Sequence, residues 1–262
     1  MPIWIFRNGP QARGGPPRWP LALAPRAAAA LGLALTRASR AGMFLAAVAL
    51  LLVSAAWAEV VTALPTADKV VALTFDACEG RAAPALFDST ILTTLEAEKV
   101  PFTVFVTGLF ARRNAAELSR LSRLAFVEVE NHSFSHPQHM ERLDAAAIRR
   151  EVEDTDRLVE ELTGRRPRFF RFPAGSYDPA ALAAVEATGH RVVHWSFASG
   201  DPARGMTPEH LREWVLSRTR PGNILIFHVN GRAPATGVAL SAILGELRRR
   251  GYRFVRLDEV MP

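Results

Sequence analysis

The stretch Val70–Gly80, with the sequence VVALTFDACEG, decides the fold and holds the first candidate functional residue. Val70–Leu73 is a short apolar run rich in β-branched residues, which predicts a buried strand. Asp76 then stands at the C-terminal end of that strand. In parallel α/β proteins, loops gather and chemistry takes place at this end. Asp76 is therefore a candidate catalytic carboxylate, although a single Asp after a strand also caps ordinary turns.

Strand-like and helix-like segments alternate from about Thr66 to the C-terminus. Further strands are predicted at 102–106, 126–130, 168–171, 190–195, 223–227 and 252–255. Helices are predicted at 91–99, 114–123, 145–162, 179–188, 208–218 and 238–249. Regular alternation of this kind predicts a parallel sheet covered by helices. About seven β/α units fit a distorted (β/α)7-type, TIM-like barrel, so we predict one α/β domain over residues 66–262.

The positive charge of the chain is concentrated in its first 58 residues. The formal net charge is +6, but residues 1–58 contain six arginines, no lysine and no acidic residue. Without these six, 26 of the 32 basic residues remain, equal to the 26 acidic residues. The remainder of the chain is thus neutral overall, and its charge gives no reason to expect nucleic-acid binding.

The same N-terminal region has the features of an export signal. Arg37 and Arg40 precede the apolar run Met43–Trp57, and the small-x-small sequence Ala56-Trp57-Ala58 is typical of a signal-peptidase site. The run is shorter than the roughly 20 residues of a membrane-spanning helix. We therefore predict an exported, periplasmic or extracellular protein. The leader is either cleaved after residue 58 or kept as an N-terminal membrane anchor.

His132 and His136 form a candidate metal-binding pair. On a helical turn, an i, i+4 spacing places both imidazoles on one face, where they can hold a single ion. The pair directly follows the predicted third strand, which favours a metal site over two unrelated histidines. His139 is interpreted as a bystander.

Three further candidates follow later strands. An arginine at a barrel mouth, such as Arg171, can hold a carboxylate through a bidentate pair, or form an ordinary surface ion pair. Asp201 lies in a Ser-Gly-Asp-Pro loop, where turn chemistry alone also explains it. His228 lies at the end of a very apolar strand. It is either a buried residue with its hydrogen bonds satisfied or a general acid/base.

Six candidates thus fall at the C-terminal ends of five predicted strands: Asp76, His132, His136, Arg171, Asp201 and His228. A carboxylate base, a metal site and a histidine acid are the components of metal-assisted hydrolysis of an amide or ester.

Five motifs in this order resemble those of the polysaccharide deacetylases, the NodB-homology domains of carbohydrate esterase family 4. They are TFDAC at 74–78, NHSFSH at 131–136, RFPAGSYD at 171–178, SGDP at 199–202 and ILIFH at 224–228. The resemblance covers the chain from about Thr66 onward. It implies a distorted (β/α) barrel, in agreement with the alternation of strands and helices.

The resemblance also implies a role for each candidate in removing an acetyl group from an N-acetylated sugar. Asp76 matches the catalytic base and Arg171 the residue that orients it. His132 and His136 match two ligands of a divalent metal ion, most simply zinc. His228 matches the general acid, and Asp201 resembles the acidic partner that sets its charge. Ala174 occupies the position whose backbone N–H stabilises the oxyanion, a task that needs no particular side chain.

One position departs from the family pattern in a way that affects the metal. A second Asp usually follows the base as a third metal ligand, but here that position is Ala77, which cannot bind a metal ion. Cys78, Glu79 and Asp88 are the nearby candidates for a replacement. A cysteine suits zinc, whereas Asp88 is also the expected N-cap of the following helix.

Two alternatives to the deacetylase hypothesis stay open at this stage. The first is a glycan-binding module of the same fold that has lost its metal site, a hypothesis motivated by Ala77. The second is a metal-free relative that cleaves a non-sugar C–N bond.

Overall fold

The computed structural model describes residues 59–79 and 84–261 of the chain. Within them, seven strands form one sheet in which every strand pair is parallel. In chain order they are β1 Val70–Ala77, β2 Phe102–Val106, β3 Val127–Asn131, β4 Phe169–Phe170, β5 Arg191–Val192, β6 Ile224–His228 and β7 Arg253–Val255. The predicted α/β class is confirmed.

Helices connect successive strands. Those of the described residues are α1 Ser89–Ala97, α2 Gly108–Arg113, α3 Ala115–Leu121, α4 Ala145–Thr163, α5 Pro179–Glu186, α6 Pro208–Arg218 and α7 Pro234–Arg249. Short 3₁₀ turns occur at Met140–Arg142, Pro173–Gly175 and Leu257–Glu259. The helix start predicted at Asp88 is confirmed, because its side chain accepts hydrogen bonds from the first-turn N–H groups of Thr90 and Ile91.

The sheet curls into a distorted barrel. Its strand order is β5-β4-β3-β2-β1-β6, and β7 also pairs with β1. Isolated bridges link the two outer strands of this order: Val61 pairs with Val193, Ala63 with Asn223, and Phe197 with Leu225. Residues 61 and 63, which precede the predicted boundary at 66, thus also take part in the sheet. The predicted barrel is confirmed, and its distortion lies where bridges replace a continuous strand pair.

The central strand β1 is buried along its whole length. Its apolar residues pack with those of β2 and β6 against the covering helices, which explains why a run of β-branched residues forms a strand here. The parallel register places Asp76 of β1 opposite His228 of β6. The C-terminal ends of neighbouring strands thus bring chemistry-bearing residues to one end of the barrel, as predicted.

No helix among the described residues is long and apolar enough to cross a membrane. The predicted leader, with its apolar run Met43–Trp57, lies outside the described residues.

A pair of buried carboxyl groups on β3 predicts how stability depends on pH. Glu130 accepts hydrogen bonds from the N–H groups of Arg168 and Phe169, at 2.8 and 2.7 Å. Burial raises the pKa of Glu128 to about 7, and burial together with Glu128 raises the pKa of Glu130 well above its ordinary value. The folded state therefore binds more protons than the unfolded state above the ordinary pKa of 4.5.

We expect the free energy of unfolding to fall as the pH rises from about 4.5 through 7, and Glu130→Gln to weaken this dependence. The amide of Gln keeps an oxygen for the two N–H groups and offers a donor to Glu128, but it does not titrate. Urea denaturation at several pH values measures the effect, with the exposed Glu161→Gln as the control. Equal pH dependence in Glu130→Gln and the wild type would contradict this interpretation.

Candidate active site

The centre of the candidate site is a buried ion pair between Asp76 and Arg171. The Nη1 atom of Arg171 donates to Oδ1 of Asp76 at 2.7 Å, and the arginine is 0% exposed. Its Nε and Nη2 atoms donate to the carbonyl groups of Val193 and His194, at 3.2 and 3.0 Å. The guanidinium also lies over the ring of Phe105, 4.0 Å from its centre. Arg171 is therefore held in one orientation toward the carboxylate.

The environment of Asp76 keeps this carboxyl group ionised. Burial alone would raise its pKa, but the positive charge of Arg171 and the nearby imidazoles of His132 and His228 bring the pKa below its ordinary value. Asp76 is thus available to accept a proton at neutral pH.

His132 directs an unpartnered nitrogen toward Asp76. Its Nδ1 atom lies 2.8 Å from the carbonyl oxygen of Arg171, so that Nδ1–H donates and the Nε2 lone pair is left free. Nε2 is buried without a hydrogen-bond partner among the described residues, and it lies 3.5 Å from Oδ2 of Asp76. Burial would lower the pKa of His132, but the negative charges of Asp76 and Cys78 raise it, so negative charge surrounds this nitrogen.

The predicted helical turn for the histidine pair is wrong. Residues 132–138 form a loop in which Ser133 and His136 adopt left-handed backbone angles, with φ of 68° and 56°. Asn131 Oδ1 accepts from the N–H of Ser133, and Glu151 accepts from the next two N–H groups along the chain. These bonds hold a conformation that is unfavourable for residues other than glycine. The loop nevertheless places the His132 and His136 rings 5.0 Å apart.

Among the three candidates for a third metal ligand, Cys78 lies beside the histidines. One atom each of Cys78, His132 and His136 lie within 4.8 Å of one another, as do one atom each of Asp76, Cys78 and His228. Burial would raise the pKa of the Cys78 thiol, but the charges of His132 and His136 bring it well below its ordinary value. These surroundings favour the thiolate more than those of an ordinary buried cysteine do.

The carboxylates of the other two candidates, Glu79 and Asp88, make hydrogen bonds elsewhere. This corrects that part of the sequence prediction. The carboxylate of Glu79 accepts from Nε of Arg113, at 2.8 and 2.9 Å, and from the N–H of Ala85. Asp88 caps α1, as described above.

His228 and Asp201 form a second charged pair. The Nδ1 atom of His228 lies 2.9 Å from Oδ1 of Asp201, and its backbone N–H donates to Oδ2 at 2.7 Å. Ser199 and Thr236 donate hydroxyl hydrogen bonds to the same carboxylate, at 3.0 and 2.8 Å. Burial would lower the pKa of His228, but Asp201 raises it well above its ordinary value. Thr236 lies after the last of the five motifs, so no sequence signal marks it.

Ala174 lies in the 3₁₀ turn Pro173–Gly175 with a left-handed φ of 54°. An aromatic cluster adjoins this turn: Tyr177 stacks on Phe172, and His194 stacks on Trp195. Burial and Arg171 lower the pKa of His194 to about 4, so this imidazole is neutral. The cluster could not be predicted from the sequence, because two of its members lie in the RFPAGSYD motif and the other two in the predicted strand 190–195.

The donor atoms suit a divalent ion such as zinc. Zinc in proteins is bound by imidazole nitrogen and thiolate sulfur at about 2.0–2.3 Å. The free Nε2 of His132, fixed through its other nitrogen, has the tautomer and orientation of a metal ligand. The structure thus brings together the predicted residues Asp76, Arg171, His132 and His136, with the His228–Asp201 pair adjoining them.

Comparison with known proteins agrees with this picture. Residues 63–193, half of the chain, match the family model described as polysaccharide deacetylase. This range includes Asp76, both candidate ligands, Arg171 and Ala174, whereas Asp201 and His228 follow it. A peptidoglycan-N-acetylglucosamine deacetylase of Bacillus cereus is 27% identical over 201 residues, covering 76% of this chain and 91% of the relative.

Two solved structures have the same fold. One is a peptidoglycan N-acetylglucosamine deacetylase, with a TM-score of 0.70, 27% identity, and coverage of 78% of this chain and 92% of the other. The second is a CE4 family pseudoenzyme from Bacillus anthracis, with a TM-score of 0.65, 25% identity, and coverage of 74% and 66%. The family resemblance predicted from the motifs is confirmed. This chain belongs to the polysaccharide deacetylase family.

Proposed function

We propose that this protein is an exported hydrolase that removes acetyl groups from the N-acetylated sugars of a glycan. The observation that carries the proposal is the convergence of Asp76, the histidine pair and His228 around Cys78, in two overlapping groups of donor atoms. An acid, a base and a cation site in contact are the components that hydrolysis of an amide requires. The names of the B. cereus relative and of the solved deacetylase support the choice of substrate class.

In this proposal Asp76 takes the proton of the attacking water. The hydrogen bond from Arg171 directs one carboxylate oxygen away from solvent, and the other oxygen, Oδ2, faces His132. Because Arg171 is itself fixed by two carbonyl groups, the base keeps its orientation without help from the substrate.

His132 and His136 would hold a divalent ion, most simply zinc. Such an ion, when bound, polarises the acetyl carbonyl and makes water more acidic. We propose that the backbone N–H of Ala174 adds a donor for the oxyanion of the tetrahedral intermediate.

His228 is the proposed acid that protonates the departing amine. Asp201 engages Nδ1, so Nε2 is the nitrogen that remains for the substrate. Because Asp201 raises the pKa of His228 well above its ordinary value, the protonated imidazole is the favoured form.

We expect Asp201→Asn to move the alkaline limb of the pH–rate profile to lower pH. An acid must be protonated to act, so activity is lost as the pH rises through the pKa of His228. Without the charge of Asp201, burial lowers this pKa. Profiles of kcat/KM measure the shift, with the exposed Asp68→Asn as the control. An unchanged alkaline limb would show that His228 is not the titrating acid.

The experiment that tests the proposed function is acetate release by the purified protein supplied with zinc or cobalt. N-acetylglucosamine oligomers and peptidoglycan fragments are the substrates, and mass spectrometry of the products locates each lost acetyl group. The proposal predicts free amines on the sugar and no product with His228→Ala. No acetate from either substrate would contradict it.

A second candidate function, glycan binding without catalysis, is favoured by Ala77 and by the pseudoenzyme relative. It predicts saturable binding of the same oligomers with no acetate release. Retention of the Asp76–Arg171 and His228–Asp201 pairs favours catalysis, because binding alone does not need a positioned base and acid.

Export is proposed from the leader, with the catalytic domain assigned to residues 66–262. A periplasmic or extracellular place fits the peptidoglycan substrate of the relative. N-terminal sequencing of the protein recovered from its host distinguishes cleavage after Ala58 from a retained anchor.

A further inference from the structure

We propose that Sγ of Cys78 is the third protein ligand of the divalent ion held by His132 and His136. This inference rests on the proposed function, because it concerns the same site. Cys78 would thus supply the third ligand that Ala77, with its methyl side chain, cannot supply.

The first support is the spacing of the donor atoms. The sulfur and one ring nitrogen of each histidine lie within 4.8 Å of one another. Bonds of about 2.0–2.3 Å to a tetrahedral ion place neighbouring ligand atoms about 3.5 Å apart. Small side-chain movements therefore convert the observed arrangement into a coordination shell.

The second support is independent of the cysteine. Nε2 of His132 is buried, with the residue 1% exposed, and it has no hydrogen-bond partner among the described residues. A buried polar atom without a partner is costly, and a bound cation is one of the few ways to satisfy a lone pair there. Because the Arg171 carbonyl fixes the other ring nitrogen, this lone pair stays directed into the cluster.

The backbone around Cys78 is held on both sides. Its carbonyl accepts from Nδ2 of Asn230 at 2.8 Å, which ties it to the chain just after β6. Thr107 contacts both neighbours of the cysteine, since its N–H donates to the carbonyl of Ala77 and its hydroxyl accepts from the N–H of Glu79. The thiol therefore sits on a rigid strand end, as a metal ligand requires.

Three protein ligands also suit the chemistry of the site. A zinc ion with three protein ligands keeps a fourth position for water or substrate. Asp76 and His228 each place one atom within 4.8 Å of the Cys78 donor. The proposed base and acid thus lie next to the proposed sulfur ligand.

Cobalt substitution tests the assignment with a spectroscopic readout. The wild-type protein, freed of metal by a chelator, is titrated with Co²⁺ while its absorption spectrum and bound cobalt are measured. Cys78 is the single cysteine of the sequence, so a thiolate-to-cobalt charge-transfer band can arise from no other residue. We expect one Co²⁺ per chain and this band in the near-ultraviolet.

Two variants of the same residue make the test specific. Cys78→Ala should lose the band and raise the dissociation constant for Co²⁺ by more than about 100-fold, because removal of an outer-sphere partner alone costs 10–100-fold. Cys78→Asp should lose the band but keep most of the affinity, because a carboxylate also binds zinc and cobalt. Circular dichroism of each variant checks that it is folded.

The results of the cobalt and acetate-release experiments test the Cys78 ligand assignment and the proposed deacetylase function separately. Wild-type cobalt binding without the band, or equal affinity in Cys78→Ala, would overturn the ligand assignment even if acetate is released. The band without acetate release would leave the assignment standing and contradict the function. An acetylated protein intermediate at Cys78 would also overturn it, because the thiol would then act as a nucleophile activated by His228.

Discussion

Asp76→Asn is expected to lower kcat/KM for acetate release by about 10²–10⁴-fold, the usual contribution of a general base. Asn has the same shape and its oxygen still accepts from Arg171, but it cannot take up a proton. The loss should appear in kcat, because the base acts in the chemical step. Steady-state kinetics with an N-acetylglucosamine oligomer measure the effect.

The matched control is Asp144→Asn. Asp144 caps α4 by accepting from the N–H of Ala147 at 2.7 Å, and Asn is an equally good cap. We expect its activity to equal that of the wild type. Activity of Asp76→Asn within a factor of two of the control would mean that another group removes the proton.

Arg171→Met is expected to lower the free energy of unfolding by about 3–5 kcal/mol, the typical cost of breaking a buried ion pair from one side. Met fills much of the same volume, but it leaves Asp76 as an uncompensated buried charge and two carbonyl groups without their donor. Urea denaturation at neutral pH measures the loss. Arg157→Met, on an exposed surface pair, should cost at most about 1 kcal/mol.

The pH dependence of the free energy of unfolding of Arg171→Met identifies the cause of its lost stability. In the wild type, Arg171 helps to hold the pKa of Asp76 below its ordinary value of 3.8, so the pair stabilises the fold above this pH. In Arg171→Met, burial raises this pKa and protonation removes the unpaired charge. The difference between variant and wild type should thus shrink as the pH falls toward about 4. A difference independent of pH would indicate lost packing instead.

The sequence was sufficient to predict the strands of the barrel because buried parallel strands are continuous apolar runs. Prediction was weakest where tertiary contacts decide the structure. The predicted strand 190–195 is reduced to Arg191–Val192, because the chain beyond it bridges to residue 61 and β6. The helix Gly108–Arg113 was not predicted, since its start depends on the Thr107 side chain accepting from Phe110.

In the site, the residues at strand ends could be predicted from position alone, whereas their geometry could not. His132 and His136 meet through a strained loop and not through a helical turn. That loop depends on Glu151, a residue of α4 that carries no sequence signal for this role. Likewise, Cys78, Glu79 and Asp88 all remain candidates in the sequence, and the contacts of the folded chain separate them.

In the proposed function, one divalent ion at the histidine pair makes this protein a deacetylase. The most direct measurement titrates chelator-treated protein with zinc and follows acetate release and bound metal together. We predict that activity rises in proportion to bound zinc and reaches its maximum at one ion per chain. Full activity in metal-free protein, or one tightly bound ion without acetate release, would contradict the claim.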